Sequence, residues 1–216
     1  MAGTQSDARF WDKTARKYAA STVSDPDGYE RTLERTRAFL TPDAEVLEVG
    51  CGTGTTALKL APFLGAMLAT DISEEMLAIA RERAGAESVG NIRFEVATPD
   101  NTAWPPASFD AALAFNLLHL VEDRAGTLAN LNRVLKPGGV LISKTPCLGD
   151  MSLVAQPALR LAVPAMRLVG KAPRVFFHTA EKLEREMQTA GFEIVERGRH
   201  ASKGKDIRLF LVARKV

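Results

Sequence analysis

Three places in this chain carry residue types that could do chemistry together. Glu48 stands just ahead of a glycine-rich run, Gly50-Cys51-Gly52-Thr53-Gly54. Asp71 follows that run by ~20 residues, and His119 closes the segment Asn116-Leu117-Leu118-His119. A glycine run between an apolar stretch and a helix lets a ligand approach backbone N–H groups. Any Cβ there would hold the ligand away, and some positions call for φ > 0. The spacing is Gly-x-Gly-x-Gly, whereas a dinucleotide pyrophosphate is cradled by Gly-x-Gly-x-x-Gly. A carboxylate at Glu48 would also repel phosphate. A ligand bearing hydroxyls and a positive charge suits Glu48 and Asp71 better, since a carboxylate can accept from both hydroxyls of an unphosphorylated ribose. His119 is the residue type whose ordinary pKa lies nearest neutrality, which makes it a candidate general base. It could equally be a polar wall or the start of a helix. Cys51 and Cys147 make no disulfide framework, and Cys51 reads as a small residue in the turn.

These residues need elements to position them. The run Val46-Leu47-Glu48-Val49 reads as a strand, and residues 55–64 as the helix that leaves the glycine turn. A second strand spans 66–70 with Asp71 at its end. Ser73 then fits the N-cap of a helix over 74–84. Residues 91–97 alternate and give a third strand. Residues 111–115 are apolar throughout, as a strand buried on both faces should be. A helix over 123–135 is stopped by Lys136-Pro137-Gly138-Gly139, a turn before a fifth strand at 140–144. Thr179 caps a helix over 180–190, and strands at 192–197 and 207–213 follow. Ahead of the first strand, 10–18 reads as an aromatic-bearing helix, 25–28 as a turn and 30–40 as a charged amphipathic helix.

The Glu48 to Gly54 segment resembles the first motif of class I S-adenosylmethionine-dependent methyltransferases. Leu135-Lys136-Pro137-Gly138-Gly139 is similar to the turn before that family's fifth strand, and Trp104 to Asp110 partly matches the run before its fourth. The resemblance implies an α/β fold, a Rossmann-like doubly wound seven-stranded and mostly parallel sheet with an antiparallel last strand. It implies one domain over 1–216 with an N-terminal helical lid (1–40); residues 145–178, on which the resemblance is silent, read from their length and composition as a substrate cap insertion before the final helix. The implied cofactor is S-adenosyl-L-methionine. Its site would take Glu48, Gly50, Cys51, Gly52 and Gly54, with Asp71 on the ribose and Ile72 packed on adenine. Tyr18, Met76, Ala97, Thr98 and Asn116 would line it. Many small-molecule members begin with a similar Trp-Asp…Ala…Tyr segment that closes over the site, here Trp11 to Tyr18. The family often carries an acid at the end of the third strand. This chain has Val96-Ala97-Thr98-Pro99, so the Thr98 hydroxyl or the Ala97 backbone would serve instead.

The acceptor side is less determined. Residues 145–173 hold four prolines among scattered Leu, Val and Met, and read as broken short helices in which Met166 and Leu168 could wall an apolar pocket. Arg160, Arg167, Lys171 and Arg174 could attract an acidic substrate, meet a membrane surface, or form a solvated face. Cys147 resembles a methyltransferase nucleophile only superficially. The fourth strand ends in Asn116-Leu117-Leu118-His119 and lacks the Pro-Pro-aromatic ending of enzymes acting on nucleic-acid adenine. A net charge of +2, from 28 basic and 26 acidic residues, gives no case for a nucleic-acid partner. A small-molecule acceptor, quinone-like or lipid-like, is the default. No apolar run reaches the ~20 residues of a membrane span, the first ten residues lack a secretory core, and a cytoplasmic setting is expected. Two other functions fit the same residues: a non-catalytic S-adenosylmethionine-binding protein, and a nicotinamide-dependent oxidoreductase that the glycine spacing disfavours.

Overall fold

The structure, a computed structural model, describes residues 2–152, 155–202, 204 and 206–216. Met1 of the expected lid, residues 153–154 of the expected cap and residues 203 and 205 of the last connection lie outside it. Seven strands form one sheet in the order β3-β2-β1-β4-β5-β7-β6. They are β1 (Glu45–Val49), β2 (Ala66–Asp71), β3 (Ile92–Val96), β4 (Phe109–Phe115), β5 (Leu135–Pro146), β6 (Phe192–Gly198) and β7 (Arg208–Lys215). The first five pair in parallel, and β7 runs antiparallel to both β5 and β6. The chain steps outward from β1 through β2 to β3, then restarts at β4 on the other side of β1. This reversal opens a crevice at the carboxyl ends of β1 and β4.

Period-two alternation sorts the sheet's side chains into two cores. Leu47, Val49, Ala112, Ala114, Leu209 and Leu211 join one cluster, covered by α5 (Arg124–Val134) and α7 (Ala180–Thr189). Val46, Ala111, Leu113, Phe210 and Val212 join the other, covered by α2 (Pro26–Arg37) and α3 (Thr55–Leu60). Helix α4 (Glu74–Ala86) adds Leu77 to this second core and turns Met76 and Ile79 toward α1 (Ala2–Ala19), which packs Ala15 and Trp11 on them. Ser73 caps α4, its Oγ accepting the Met76 N–H at 3.1 Å, and Thr179 caps α7 in the same way through Lys182. Asp123 caps α5.

Three expectations need correction. Residues 25–28 are no free turn: Asp25 is the N-cap of α2, accepting the Gly28 N–H, and Pro26 occupies the first helical position, where its missing N–H costs nothing. Residues 136–139 do not end one element and begin another. Leu135 already pairs with Phe109 and Val140 with Ala111, so the four residues bulge from β5 opposite Asp110. Lys136 Nζ donates to both Asp110 carboxylate oxygens at 2.8 Å, which pins the bulge. Residues 155–168 are not broken helices but one continuous helix, α6 (Ala155–Leu168), with Pro164 inside it and no buried residue.

On the α5/α7 face the buried Arg124 guanidinium grips Glu186 through Nε (2.6 Å) and Nη2 (3.0 Å). Arg124→Ala leaves the partly buried Glu186 carboxylate with only the longer Lys182 contact at 3.9 Å. A loss of about 2–3 kcal/mol is expected in urea denaturation, somewhat below the figure for a fully buried pair.

Candidate active site

Strand β1 delivers Glu48 to the interior. Its neighbours Leu47 and Val49 fill one core, so alternation turns Glu48 to the other face, where it is 2% exposed. The Oε2 atom has no protein partner. Burial, then the nearby Asp71 carboxylate, pushes its pKa up to about 8. At neutral pH the carboxyl holds its proton until a cation arrives.

The glycines after it serve different ends. All three adopt φ between 55° and 73°, a region closed to most side chains. A Cβ on Gly50 would lie 2.8 Å from the Leu117 side chain, and one on Gly54 would lie 2.9 Å from the Ala80 Cβ. Both therefore close protein–protein packing. Of the three, only Gly52 has room for a Cβ, which would meet Tyr18 Cε1 at an ordinary 3.9 Å on the cavity side. Asp71 locks the turn: its Oδ2 accepts the Gly52 N–H at 2.9 Å and its Oδ1 the Ser73 N–H at 3.0 Å. A carboxylate has about four lone-pair directions, and the Gly52, Ser73 and Ile72 N–H groups take up to three of them, so at least one stays available to a ligand. Burial raises the Asp71 pKa against these N–H donors, which lower it. Cys51 donates its N–H to the Thr70 carbonyl at 2.9 Å, and burial drives its thiol pKa well up.

One cavity of about 720 Å³ gathers these groups. Tyr18, Glu48, Gly50, Cys51, Gly52 and Asp71 line it, as do Ile72, Met76, Ala97, Thr98, Asn116 and His119. Gly54 stands outside the lining and starts α3 as its left-handed N-cap. The Ala97 N–H is already donated to the Asp71 carbonyl at 3.1 Å, so it is not free for adenine. Asp100, four positions beyond the end of β3, lines the same cavity. Asn116 takes φ 52°, which Asn tolerates, where the chain leaves β4. His119 Nδ1 is buried without a partner. Burial, then the neighbouring His178, lowers the ring's pKa to about 4, so the imidazole is neutral and able to accept a proton.

Helix α1 reaches over the cavity with Asp7, Trp11 and Tyr18 in its wall. Asp12 Oδ1 accepts from Ser73 Oγ at 2.6 Å, and Arg83 donates to the Ala19 carbonyl at 2.9 Å, which seat the middle and the C-terminal end of the helix. Arg174 joins α1 to the β4–α5 loop by pairing with Asp7 at 4.0 Å and with Glu122. That arginine is therefore already neutralised and offers no pull on an acidic substrate. Met166 and Leu168 do not line the cavity, and Leu168 is 90% exposed. Pro146, Pro173 and Val175, at the two ends of the expected cap, line it instead. Cys147 is fully buried with its thiol pushed up to about 11, which removes it as a nucleophile. Asp7, Asp100 and Glu122 escaped the sequence reading because no local pattern marks them.

Fold and site define a class I S-adenosylmethionine-dependent methyltransferase domain, and this chain carries one. Residues 46–139 match the family described as a methyltransferase domain. S-adenosyl-L-methionine is its cofactor, and the residues present fit that group: an orphaned buried carboxyl, an opening at Gly52, and a second carboxylate with a free lone pair. Among its relatives is 27-O-demethylrifamycin SV methyltransferase of Amycolatopsis mediterranei, 34% identical over 151 residues, covering 68% of this chain and 53% of the relative. Demethylmenaquinone methyltransferase of Tropheryma whipplei is 40% identical over 103 residues, 48% of this chain and 42% of that protein. The chain thus spans about half the length of these curated relatives. A methyltransferase from Methanosarcina mazei superposes with TM-score 0.71 at 22% identity, covering 84% of this chain and 97% of that one, which shows the shared fold.

Glu48 gives a signed pH dependence. The folded carboxyl keeps its proton up to about 8, whereas an unfolded glutamate loses it near 4.5. Between those values the folded state binds more protons, so this group's contribution to stability falls as pH rises through the window. Glu48→Gln is expected to raise the melting temperature of the cofactor-free protein at the upper end of the window and leave it unchanged at the lower end. The same change is expected to weaken S-adenosylmethionine binding by roughly tenfold or more in isothermal titration, as loss of a charged hydrogen bond does.

Proposed function

We propose that this chain transfers a methyl group from S-adenosylmethionine to a small acceptor by direct displacement. The observation that carries this reading is the unpaired Glu48 carboxyl, buried under the Gly52 opening and beside Asp71. In this reading Glu48 holds the cofactor's positively charged methionine end. Asp71 keeps the turn closed and offers its free lone pair to the ribose hydroxyls. Ile72, Met76, Ala97 and Thr98 wall the adenine, with Asp100 and Thr98 as its polar contacts. When bound, the cofactor supplies a methyl already activated on a sulfonium. The chain's own task is alignment of the acceptor and exclusion of water. Helix α1, through Trp11 and Tyr18, is the lid, and the Arg174 pairs with Asp7 and Glu122 hold it shut. Residues 145–178 supply the acceptor-side wall through their ends. His119 takes the acceptor's proton where the attacking atom is a hydroxyl.

The acceptor proposed is a small, largely apolar ring compound of quinol or phenol type. Support comes from the cavity's apolar acceptor side, formed by Leu120, Val121, Pro146, Pro173 and Val175. Two relatives also bear on it: one is named for a rifamycin oxygen and one for menaquinone. Among the described residues no helix is long and apolar enough to cross a membrane, and the setting proposed is the cytoplasm.

Isothermal titration of the cofactor-free protein with S-adenosylmethionine is the first test; absence of binding would overturn the reading. Asp71→Ala should weaken that binding by roughly tenfold or more. In methylation assays with hydroxylated quinols, His119→Ala should lower kcat by about 10²–10⁴-fold with S-adenosylmethionine affinity unchanged. Because the His119 pKa lies near 4, the acidic limb of kcat/KM, where protonation removes the base, should lie well below neutrality, with no His119-dependent change between about pH 6 and 8.

A further inference from the structure

Helix α6 presents an apolar face that is exposed among the described residues. Its half-buried side carries Ala155, Gln156, Leu159 and Val163, and Gln156 Nε2 donates to the Gly149 carbonyl at 3.4 Å. Pro157, Ala158, Leu161, Pro164, Ala165 and Leu168 are all exposed. At 3.6 residues per turn they fall within an arc of about 120° on the outer side. Leu161 is 78% exposed, Leu168 90%, and Val169, just past the helix end, 66%. Arg160 and Arg167 lie along one border of the arc, and Lys171 follows its C-terminal end. From Met151 to Ala180 the chain has no Asp or Glu, against Arg160, Arg167, Lys171 and Arg174. Of these four, only Arg174 is ion-paired among the described residues.

We propose that this face docks on the surface of an anionic phospholipid bilayer. Leu161, Leu168 and Val169 enter the boundary between headgroups and acyl chains, and Arg167 and Lys171, with Arg160, meet lipid phosphates. The charge pattern selects this occupant. A second copy would bring two cationic borders together. A specific protein partner is ordinarily met by aromatic or hydrogen-bonding side chains, and the arc holds none. A strip of small and aliphatic residues with a basic edge fits a fluid apolar layer under negative headgroups. The docked helix also runs directly, through Lys171, into Pro173, Arg174 and Val175 of the cavity wall, which brings that part of the wall close to the bilayer. A lipid-soluble acceptor would then have a short path to that wall. The docking itself does not depend on methyl transfer.

The test is co-sedimentation of the full chain with vesicles of phosphatidylcholine alone or mixed with phosphatidylglycerol, in the absence of cofactor. Binding is expected to the mixed vesicles and to weaken as salt is raised. Arg167→Gln with Lys171→Gln should reduce it by roughly tenfold or more. Leu161→Glu with Leu168→Glu should abolish it while thermal unfolding and S-adenosylmethionine affinity stay as in the parent, which separates this result from failure of the methyltransferase reading. Lack of binding to either vesicle, or equal binding by the leucine variant, would overturn the proposal. So would self-association of the parent that the leucine variant removes, since that would make a second copy the occupant.

Discussion

Everything at the carboxyl edge of this sheet depends on one unfavourable placement, a glutamate held in the interior with a second carboxylate nearby and, among the described residues, no cation paired with either. Burying an ionised carboxylate without a partner is costly enough that the group keeps its proton instead. Glu48 does so, and its Oε2 is left with no hydrogen bond. The fold tolerates this because β1 lies inside the sheet between β2 and β4, where strict alternation among apolar neighbours leaves the side chain no other direction. The deficit marks where charge complementarity is missing, and a positively charged ligand is what supplies it.

The neighbouring groups hold that placement in shape. Asp71 could have been a free ribose acceptor, but it also clasps the Gly52 and Ser73 amides, so one side chain fixes both the glycine turn and the start of α4. Ser73 in turn both caps α4 and donates its hydroxyl to Asp12 of α1. A contact at the ligand is thus linked by two hydrogen-bonded steps to the helix covering the cavity. Arg83 adds a third tie, reaching from α4 to the Ala19 carbonyl and to the Thr53 and Thr55 hydroxyls.

Much of this was legible in the residues because the signals are local. The Glu48 to Gly54 run, Asp71 at its downstream distance, and the caps Ser73 and Thr179 each carry their geometry within a few positions. What was not legible depends on partners far along the chain. The separate duties of Gly50, Gly52 and Gly54 appear only when Leu117, Ala80 and Tyr18 are in place. Arg174 reads as a free cation until Asp7 and Glu122 approach it from 52 and more residues away. The prolines of α6 misled for another reason: Pro157 sits in the first turn, where its missing N–H is harmless, and Pro164 loses only one internal bond in a helix bearing no core. The bulge at 136–139 keeps the helix-stopping chemistry expected of Pro and Gly, yet pairing on both sides of it makes Leu135 part of the strand.

The position of β7 has a consequence for how the molecule is made. It is the seventh strand in the chain and lies between the fifth and sixth, pairing with both. Strands one to five can associate as they emerge, but the sixth has no neighbour to join until its successor arrives. During synthesis the exposed flank of β5, which includes Val140 to Thr145, stays an open template for foreign strands. Recruitment of β7 closes that vulnerable edge, so nascent chains stalled before this last step would be the ones most in need of chaperones.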